Sequence, residues 1–408
     1  MLFTRSGNNL SSLGDLPSFE TAKEVCQAAF NETNTLYCFI DTPAFFLMLA
    51  DLYKLPGDYS MGKNNEFLNL LFSILALGFY VKNKRHSKRN RSGDLISETR
   101  MEQGRKYFTC AKSAIDIFDC GTIPQLQTVL FLVFYLQSTA GLDICYSYIK
   151  LAQQSAFQMG LHLKIFWTIQ KMDISMSAIL GYPKILDLDT IDQEMPTEVF
   201  ELNITESGVN GYPGAKWSVL LQASNAHMRL ILILDKVIKY IYPNNRVGRS
   251  VNEASDTGHI VDHAIVREIE DDLQQWRQGT LKFLSLVYAH VQMMLYRPFL
   301  SYISGKAFAC ASAYFGVCQN VIQIMKELQE RGLVIGPRWF MINITSFATL
   351  SLVYFNCQRT NLSRPSDLHS DAQVGHEATR VIAQRKRDAC SFLSAFKVCG
   401  LPVWGIGC

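Results

Sequence analysis

Apolar side chains recur along most of the chain at the three- and four-residue spacing of an α-helix. The clearest such face is formed by Leu126, Val129, Leu130, Val133 and Leu136. Because an α-helix turns once in about 3.6 residues, this spacing gathers the apolar side chains on one side, toward a core. No stretch combines strict apolar–polar alternation with hairpin turns, as half-exposed strands do. The pattern predicts an all-α fold.

Signals for helix ends agree with this periodicity. Thr42 is an N-cap residue, and Pro43 after it suits the first helical position. Thr122 and Gln125 have the spacing of a capping box, and Gly160 suits the left-handed position that ends a helix. Further helices are predicted over residues 217–242, 259–278, 281–296, 308–331 and 339–355.

The longest apolar stretch, residues 67–81, is interrupted by Asn69 and Ser73. It is shorter than the roughly 20 residues that a bilayer-spanning helix needs. We therefore expect a fully buried core helix there, and no membrane partner.

Polar segments divide the chain. Residues 181–214 contain three prolines and several acidic residues, which predicts an ordered loop. The sequence from residue 358 is polar and ends in an amphipathic stretch and a glycine-rich tail. We expect a short N-terminal segment (1–15), one large domain of two packed helical bundles with long loops (16–357), and a polar C-terminal helix and tail (358–408).

One segment is strongly basic, although the net charge of +3 is too small for a general nucleic-acid binder. Its cations are Lys82, Lys84, Arg85, Lys88, Arg89 and Arg91. Such a run suits a nuclear-import signal or a loop that contacts phosphates. A solvated loop between two helices is the simpler alternative.

The sequence contains no catalytic motif of the common hydrolase, kinase or dinucleotide-binding types. His259 and His263 have the spacing of metal ligands on one helical face, but acidic residues continue that face and favour solvation. None of the eleven cysteines forms a CxxC pair, which fits a reducing compartment. We therefore predict no catalytic residue, no metal ligand and no enzyme activity; any cofactor-binding residues stay unknown.

Several motifs, in a fixed order, resemble one known family. Residues 151–162, an alanine-containing helix that ends Met-Gly-Leu-His, are the most specific. Phe166-Trp167, Met172-Asp173, Gly181-Tyr-Pro183 and Arg297-Pro298 follow. Together they resemble the fungal-specific transcription factor domain, the all-helical regulatory region of binuclear zinc-cluster transcription factors. The positions that match the family motifs, all interpreted as structural, are Gly160, His162, Trp167, Asp173, Gly181, Pro183, Arg297 and Pro298.

The resemblance implies a nuclear regulator of RNA polymerase II transcription that senses a small metabolite. It also implies transcription machinery or co-regulators as partners, and a homodimer. In this family DNA is contacted by a zinc cluster of six thiolates, whose spacing is absent from this sequence. Zinc and DNA binding are therefore expected only of a full-length factor. The alternative is a dimerising interaction module or a truncated fragment that does not bind DNA.

Three departures from the family pattern affect the second half of these motifs. Lys164 runs directly into Ile165, where the family usually has an additional arm. Ile174 and Tyr182 stand where arginines are typical. These changes are expected to weaken an electrostatic tether between this helix and the acidic loop after it. We also expect each indole N–H to find a partner, and Arg297 to bind helix-terminal carbonyls or an acidic neighbour.

Overall fold

The computed structural model describes residues 16–34, 36–54, 66–86, 94–115, 120–139, 141–160, 163–190, 193–196, 214–242, 262–277, 284–301, 307–330 and 338–360. These residues form α-helices and no strand, so the all-α prediction is confirmed. The helices are α1 (Phe19–Thr33), α2 (Thr42–Lys54), α3 (Glu66–His86), α4 (Asp94–Ala114), α5 (Ile123–Ser138), α6 (Leu142–Gln158), α7 (Leu163–Leu180), α8 (Gly214–Ile241), α9 (His263–Arg277), α10 (Ser285–Tyr296), α11 (Ala307–Glu330) and α12 (Arg338–Thr360).

The chain divides into two compact units. Unit 1 contains Met1–Gln170 and Gln193–Pro196, and unit 2 contains Lys171–Asp192 and Thr197–Cys408. The boundary therefore falls within α7. The domain limits expected at residues 16 and 357 stay a prediction.

Helix α3 is the centre of unit 1, where it packs against α1, α4 and α5. Residues 67–81 are buried, apart from the partly exposed Asn69, as the sequence predicts. Gly78 lets α1 approach closely, since a Cβ placed there would lie 2.2 Å from the backbone oxygen of Val25. Among the described residues, no helix is long and apolar enough to cross a membrane.

An aromatic cluster joins α1, α2 and α5 in the same unit. The Phe30 ring meets the Phe45 and Phe131 rings edge-on, with centroids 5.1 and 6.1 Å apart. Phe39, in the connection between α1 and α2, lies 5.2 Å from Phe131. Edge-to-face pairs of this kind add stability beyond their buried area. They fix α2, which begins at Thr42. The N-cap prediction is wrong by one residue: Asp41 caps the helix by accepting the Ala44 backbone N–H at 3.0 Å, and Thr42 is the first helical residue.

In unit 2, α10 packs against α8 and α11, and α11 packs against α12. Helix α9 contacts α8 through a narrow apolar stripe of Val266, Ile269 and Leu273. These three residues are buried between acidic positions, which is the amphipathic pattern of a surface helix. The core of unit 2 therefore lies around α10.

Candidate functional site

Two of the predicted motif glycines end consecutive helices in the left-handed region. Gly160 follows α6 with φ of 77°, and Gly181 follows α7 with φ of 70°. A glycine reaches this conformation without the steric cost that a Cβ imposes. Both glycines therefore have a role in backbone conformation, which agrees with their interpretation as structural positions.

Trp167 connects α7 to the acidic segment within unit 1. Its side chain is buried, and its indole N–H donates to the Glu194 backbone oxygen at 2.8 Å. In unit 2, the indole of Trp276 donates to the Ala226 oxygen, also at 2.8 Å. The expectation that indole N–H groups find partners is confirmed at both positions.

Asp173 anchors the loop that follows α7. Its carboxylate is fully buried and accepts the Ile185 backbone N–H at 3.0 Å and a longer bond, 3.4 Å, from the Ser177 hydroxyl. Burial raises the pKa of Asp173 to about 6, although the loop N–H groups and the charge of Lys184 act in the opposite direction. The carboxylate of Asp173 on α7 thus holds the loop at a residue 12 positions further along the chain.

Two ion pairs join the same loop to α8. Lys184 lies 2.5 Å from Asp235, with both side chains mostly buried. Asp189, in a short 3₁₀ turn (Leu188–Thr190), pairs with Lys239. The loop is therefore held by Asp173 and by lysine–aspartate pairs to α8. The expectation that the missing arginines at positions 174 and 182 weaken the tether between α7 and the loop stays a prediction.

Arg297 lies in a turn and contacts an aromatic ring. It begins a 3₁₀ turn (Arg297–Ser301) after α10, and Pro298 is the second residue of that turn. The guanidinium lies over the Phe347 ring, 5.2 Å from the centroid, as a cation–π contact. Within the described residues, no carboxylate lies at ion-pairing distance from Arg297. Arg297 therefore makes a stacking contact, and the predicted polar contact with helix-terminal carbonyls or an acidic neighbour stays a prediction.

A small cavity lies beside Arg297 within unit 2. It is lined by Ala178, Ile179, His290, Met293, Met294, Arg297, Tyr314, Ile344 and Phe347. These residues come from α7, α10, α11, α12 and the 3₁₀ turn. Its volume is about 20 Å³, enough for one water molecule. The sequence offered no signal for this cavity, since its walls meet only in the folded chain.

His290 adds a buried imidazole to this cavity wall. Its side chain is buried, and its Nδ1 atom has no hydrogen-bond partner in the part of the chain that the structure describes. The ring meets the Phe340 ring edge-on at 5.3 Å. Burial, and then the charge of Arg297, lower the pKa of His290 to about 4. The imidazole is consequently neutral at physiological pH, beside a permanent cation.

The structure describes only some of the remaining predicted positions. Lys82, Lys84 and Arg85 lie in the last turns of α3 rather than in a loop, and Lys82 pairs with Glu24 at 2.5 Å. Lys88, Arg89, Arg91 and His162 lie outside the described residues. Pro183 is exposed in the loop after Gly181.

The part of the chain that the structure describes contains no group of three or more potential metal ligands. His263, one member of the predicted histidine pair, is stacked on Phe299 at 5.6 Å, and His259 lies outside the described residues. The acidic residues of α9 contact neighbouring helices: Asp272 pairs with Lys236 at 2.7 Å, and Glu270 accepts from the Tyr296 hydroxyl at 2.8 Å.

These features define an all-α domain whose motif residues shape helix ends, anchor a loop and border a small cavity. Sequence comparison gives its family. The fungal specific transcription factor domain matches residues 30–165 and 163–278, which together cover more than half of the chain. The chain belongs to this family, and it is a transcription factor domain rather than an enzyme. The two matched segments overlap at residues 163–165.

Curated relatives agree with this assignment. "Activator of stress genes 1" of Saccharomyces cerevisiae is 28% identical over 88% of this chain and 41% of its own length. "Activator of stress genes protein 1" of Candida albicans is 29% identical over 83% of the chain and 40% of its own length. "Transcriptional activator protein acu-15" of Neurospora crassa is 24% identical over 52% of the chain and 26% of its own length. The chain thus spans about two fifths of the first two relatives.

Proposed function

We propose that this chain is the regulatory region of a nuclear transcription factor that controls RNA polymerase II transcription. The match to the family over residues 30–278 is the main support, and relatives named as activators agree. The regulatory domain covers residues 16–357, and residues 358–408 add a polar C-terminal segment. Partners are co-regulators or the transcription machinery, and a second copy of the chain.

DNA contact in this proposal comes from a zinc cluster outside residues 1–408. Sequence-specific recognition needs side chains at base edges, since phosphate contacts alone carry no sequence information. The basic run that begins at Lys82 supplies charge, and its first members are helical. We propose that the run from Lys82 to Arg91 serves nuclear import.

Regulation is assigned to unit 2. The loop after α7 is held by Asp173 and by two lysine–aspartate pairs, and the cavity beside Arg297 is bordered by α7 as well. A ligand in that cavity would contact the helix that carries Asp173. This arrangement supports the sensing of a small metabolite.

A tethered reporter assay tests the regulatory role. Residues 1–408 are fused to an unrelated bacterial DNA-binding domain, and transcription is measured from a fungal promoter that carries its operator. We expect transcription to differ by severalfold from that with the DNA-binding domain alone. A fusion that is folded and nuclear, yet leaves transcription unchanged, would favour the inert interaction module instead.

Import is tested separately, with a fluorescent protein fused to the chain. Alanine at Lys82, Lys84, Arg85, Lys88, Arg89 and Arg91 should reduce nuclear accumulation. Alanine at Lys106, Lys112 and Arg105 of α4, three cations outside this run, provides the control for general charge loss. Equal nuclear signal in both variants would remove the import role.

A further inference from the structure

We propose that the cavity beside Arg297 binds the carboxylate of a small monocarboxylic acid; this assignment deepens the proposed sensing function and depends on it. The cavity unites a guanidinium, a neutral imidazole and an apolar wall. Each of these features restricts the chemical class of ligand that the cavity can bind.

Arg297 supplies the positive charge. Phe347 covers one face of the guanidinium, and no carboxylate of the described residues neutralises it. The edge of the guanidinium carries its N–H donors, and these match the two oxygens of a carboxylate. Because the site is half-buried, this attraction is screened less than at an exposed surface.

His290 supplies the second contact. Its Nδ1 atom is buried and has no hydrogen-bond partner among the described residues, which is an unfavourable state for a polar atom unless water or a ligand satisfies it. In the tautomer with hydrogen on Nδ1, the imidazole donates to an anion. The Tyr314 hydroxyl, by contrast, already bonds Ser351 at 2.8 Å, so His290 is the stronger candidate for the second donor.

The remaining wall selects a small, singly charged and partly apolar molecule. The side chains of Met293, Met294 and Ile344 offer no hydrogen-bond donor. Among the described residues of the wall, Arg297 is the only cationic side chain, so a phosphate or a dicarboxylate would keep uncompensated charge. The space of about 20 Å³ holds about one water, so the wall has to widen before a carboxylate enters. Methionine side chains are flexible enough to make room for a short carbon chain.

Isothermal titration calorimetry on purified residues 1–408 provides the test. Acetate, propionate, butyrate and hexanoate are compared with propionamide and with chloride at equal ionic strength. We expect one saturable site per chain with a millimolar dissociation constant, consistent with the limit on binding energy per ligand atom. The length series separates a short free acid from the head of a longer fatty acid, which would bind more tightly with each added carbon.

Matched variants locate the site. Arg297→Gln should weaken propionate binding about tenfold or more, as expected for the loss of a charged hydrogen bond. Arg277→Gln, which removes an exposed arginine of the same unit, should leave it unchanged. His290→Leu keeps the cation and should weaken binding severalfold, so the site remains testable if Arg297→Gln does not fold.

The imidazole gives a direct readout. In ¹⁵N spectra of the protein, propionate should shift the His290 nitrogen resonances, and propionamide should not. Equal binding of propionate and propionamide, or full binding by Arg297→Gln, would overturn the proposal and leave a cavity filled by water. Because calorimetry needs no promoter, loss of this site and failure of the reporter assay are separate results.

Discussion

Buried ionisable side chains carry most of the unusual chemistry at the scale of single residues. Asp173 and His290 both lie in unit 2, and burial shifts their pKa values in opposite directions, up to about 6 and down to about 4. In each case the charged form has lost hydration that its neighbours do not fully replace. Their effects on stability therefore have opposite dependence on pH.

Asp173 is expected to make the protein less stable as pH rises. Its pKa in the folded state exceeds its ordinary value of 3.8, so its stabilising contribution is complete below that value and is lost as pH rises through about 6. Asp173→Asn removes this titration. The free energy of unfolding is measured in urea at pH 5 and at pH 7. Between these two pH values it should fall more in the wild type than in the variant, by at most about 1.4 kcal/mol per pH unit.

The control for this series is Asp271→Asn, which changes an exposed aspartate of α9. Its pH profile should run parallel to that of the wild type. If the profile of Asp173→Asn is parallel as well, then the carboxylate does not change its protonation in this range and the assigned pKa is wrong.

His290 is expected to act with the opposite sign. Its pKa in the folded state, about 4, lies below the ordinary 6.5, so its contribution is present above pH 6.5 and is lost as pH falls toward 4. His290→Gln should therefore be less sensitive to acid than the wild type. Thermal unfolding between pH 7 and 5 measures this difference, with the exposed His263→Gln as control; a wild type no more acid-sensitive than the variant would contradict it.

At the scale of secondary-structure elements, two helices approach each other closely where the residues between them are small. In α3, Gly78 faces the backbone of Val25 on α1, and the buried Ala22, Cys26 and Ala29 lie on α1 as well. A side chain at residue 78 would have to push backbone away rather than rotate a flexible group. Gly316 on α11 is different, because nothing lies within 4 Å of a Cβ placed there.

These two glycines provide a matched pair for substitution by alanine. Gly78→Ala should destabilise the protein by about 1–3 kcal/mol, the usual cost of overpacking. Gly316→Ala should be neutral or stabilise it by up to about 1 kcal/mol, since alanine favours a helix. Urea unfolding monitored by circular dichroism compares them; similar stability of both variants would mean that α1 and α3 are not in close contact at Gly78.

For the whole molecule, the proposal separates regulation from DNA recognition. The net charge of the chain is +3. The dense basic run from Lys82 to Arg91 supplies only salt-sensitive attraction to phosphates. We expect residues 1–408 to bind CGG-containing and scrambled duplexes with affinities that differ by less than about tenfold, roughly 1.4 kcal/mol. Titration of labelled duplexes at near-physiological salt measures the ratio. A larger preference for CGG would reveal a base-reading element within this chain.

The sequence by itself determined the helical class, most helix positions and the motif glycines, because these depend on local spacing and on backbone conformation. Helical periodicity identifies α5 and the buried α3, and a left-handed glycine is local to its helix end. Helix α1 was not predicted, since its apolar face consists largely of small residues such as Ala22, Cys26 and Ala29.

Only the tertiary structure decided which distant residues meet. The contact of Arg297 with Phe347, the loop ion pairs and the burial of His290 depend on helices brought together by burial of their apolar faces. No local spacing encodes such a pairing, because each partner lies tens of residues away on another element. The sequence alone therefore indicates a helical regulatory domain, and packing around α10 creates the cavity where its ligand is proposed to bind.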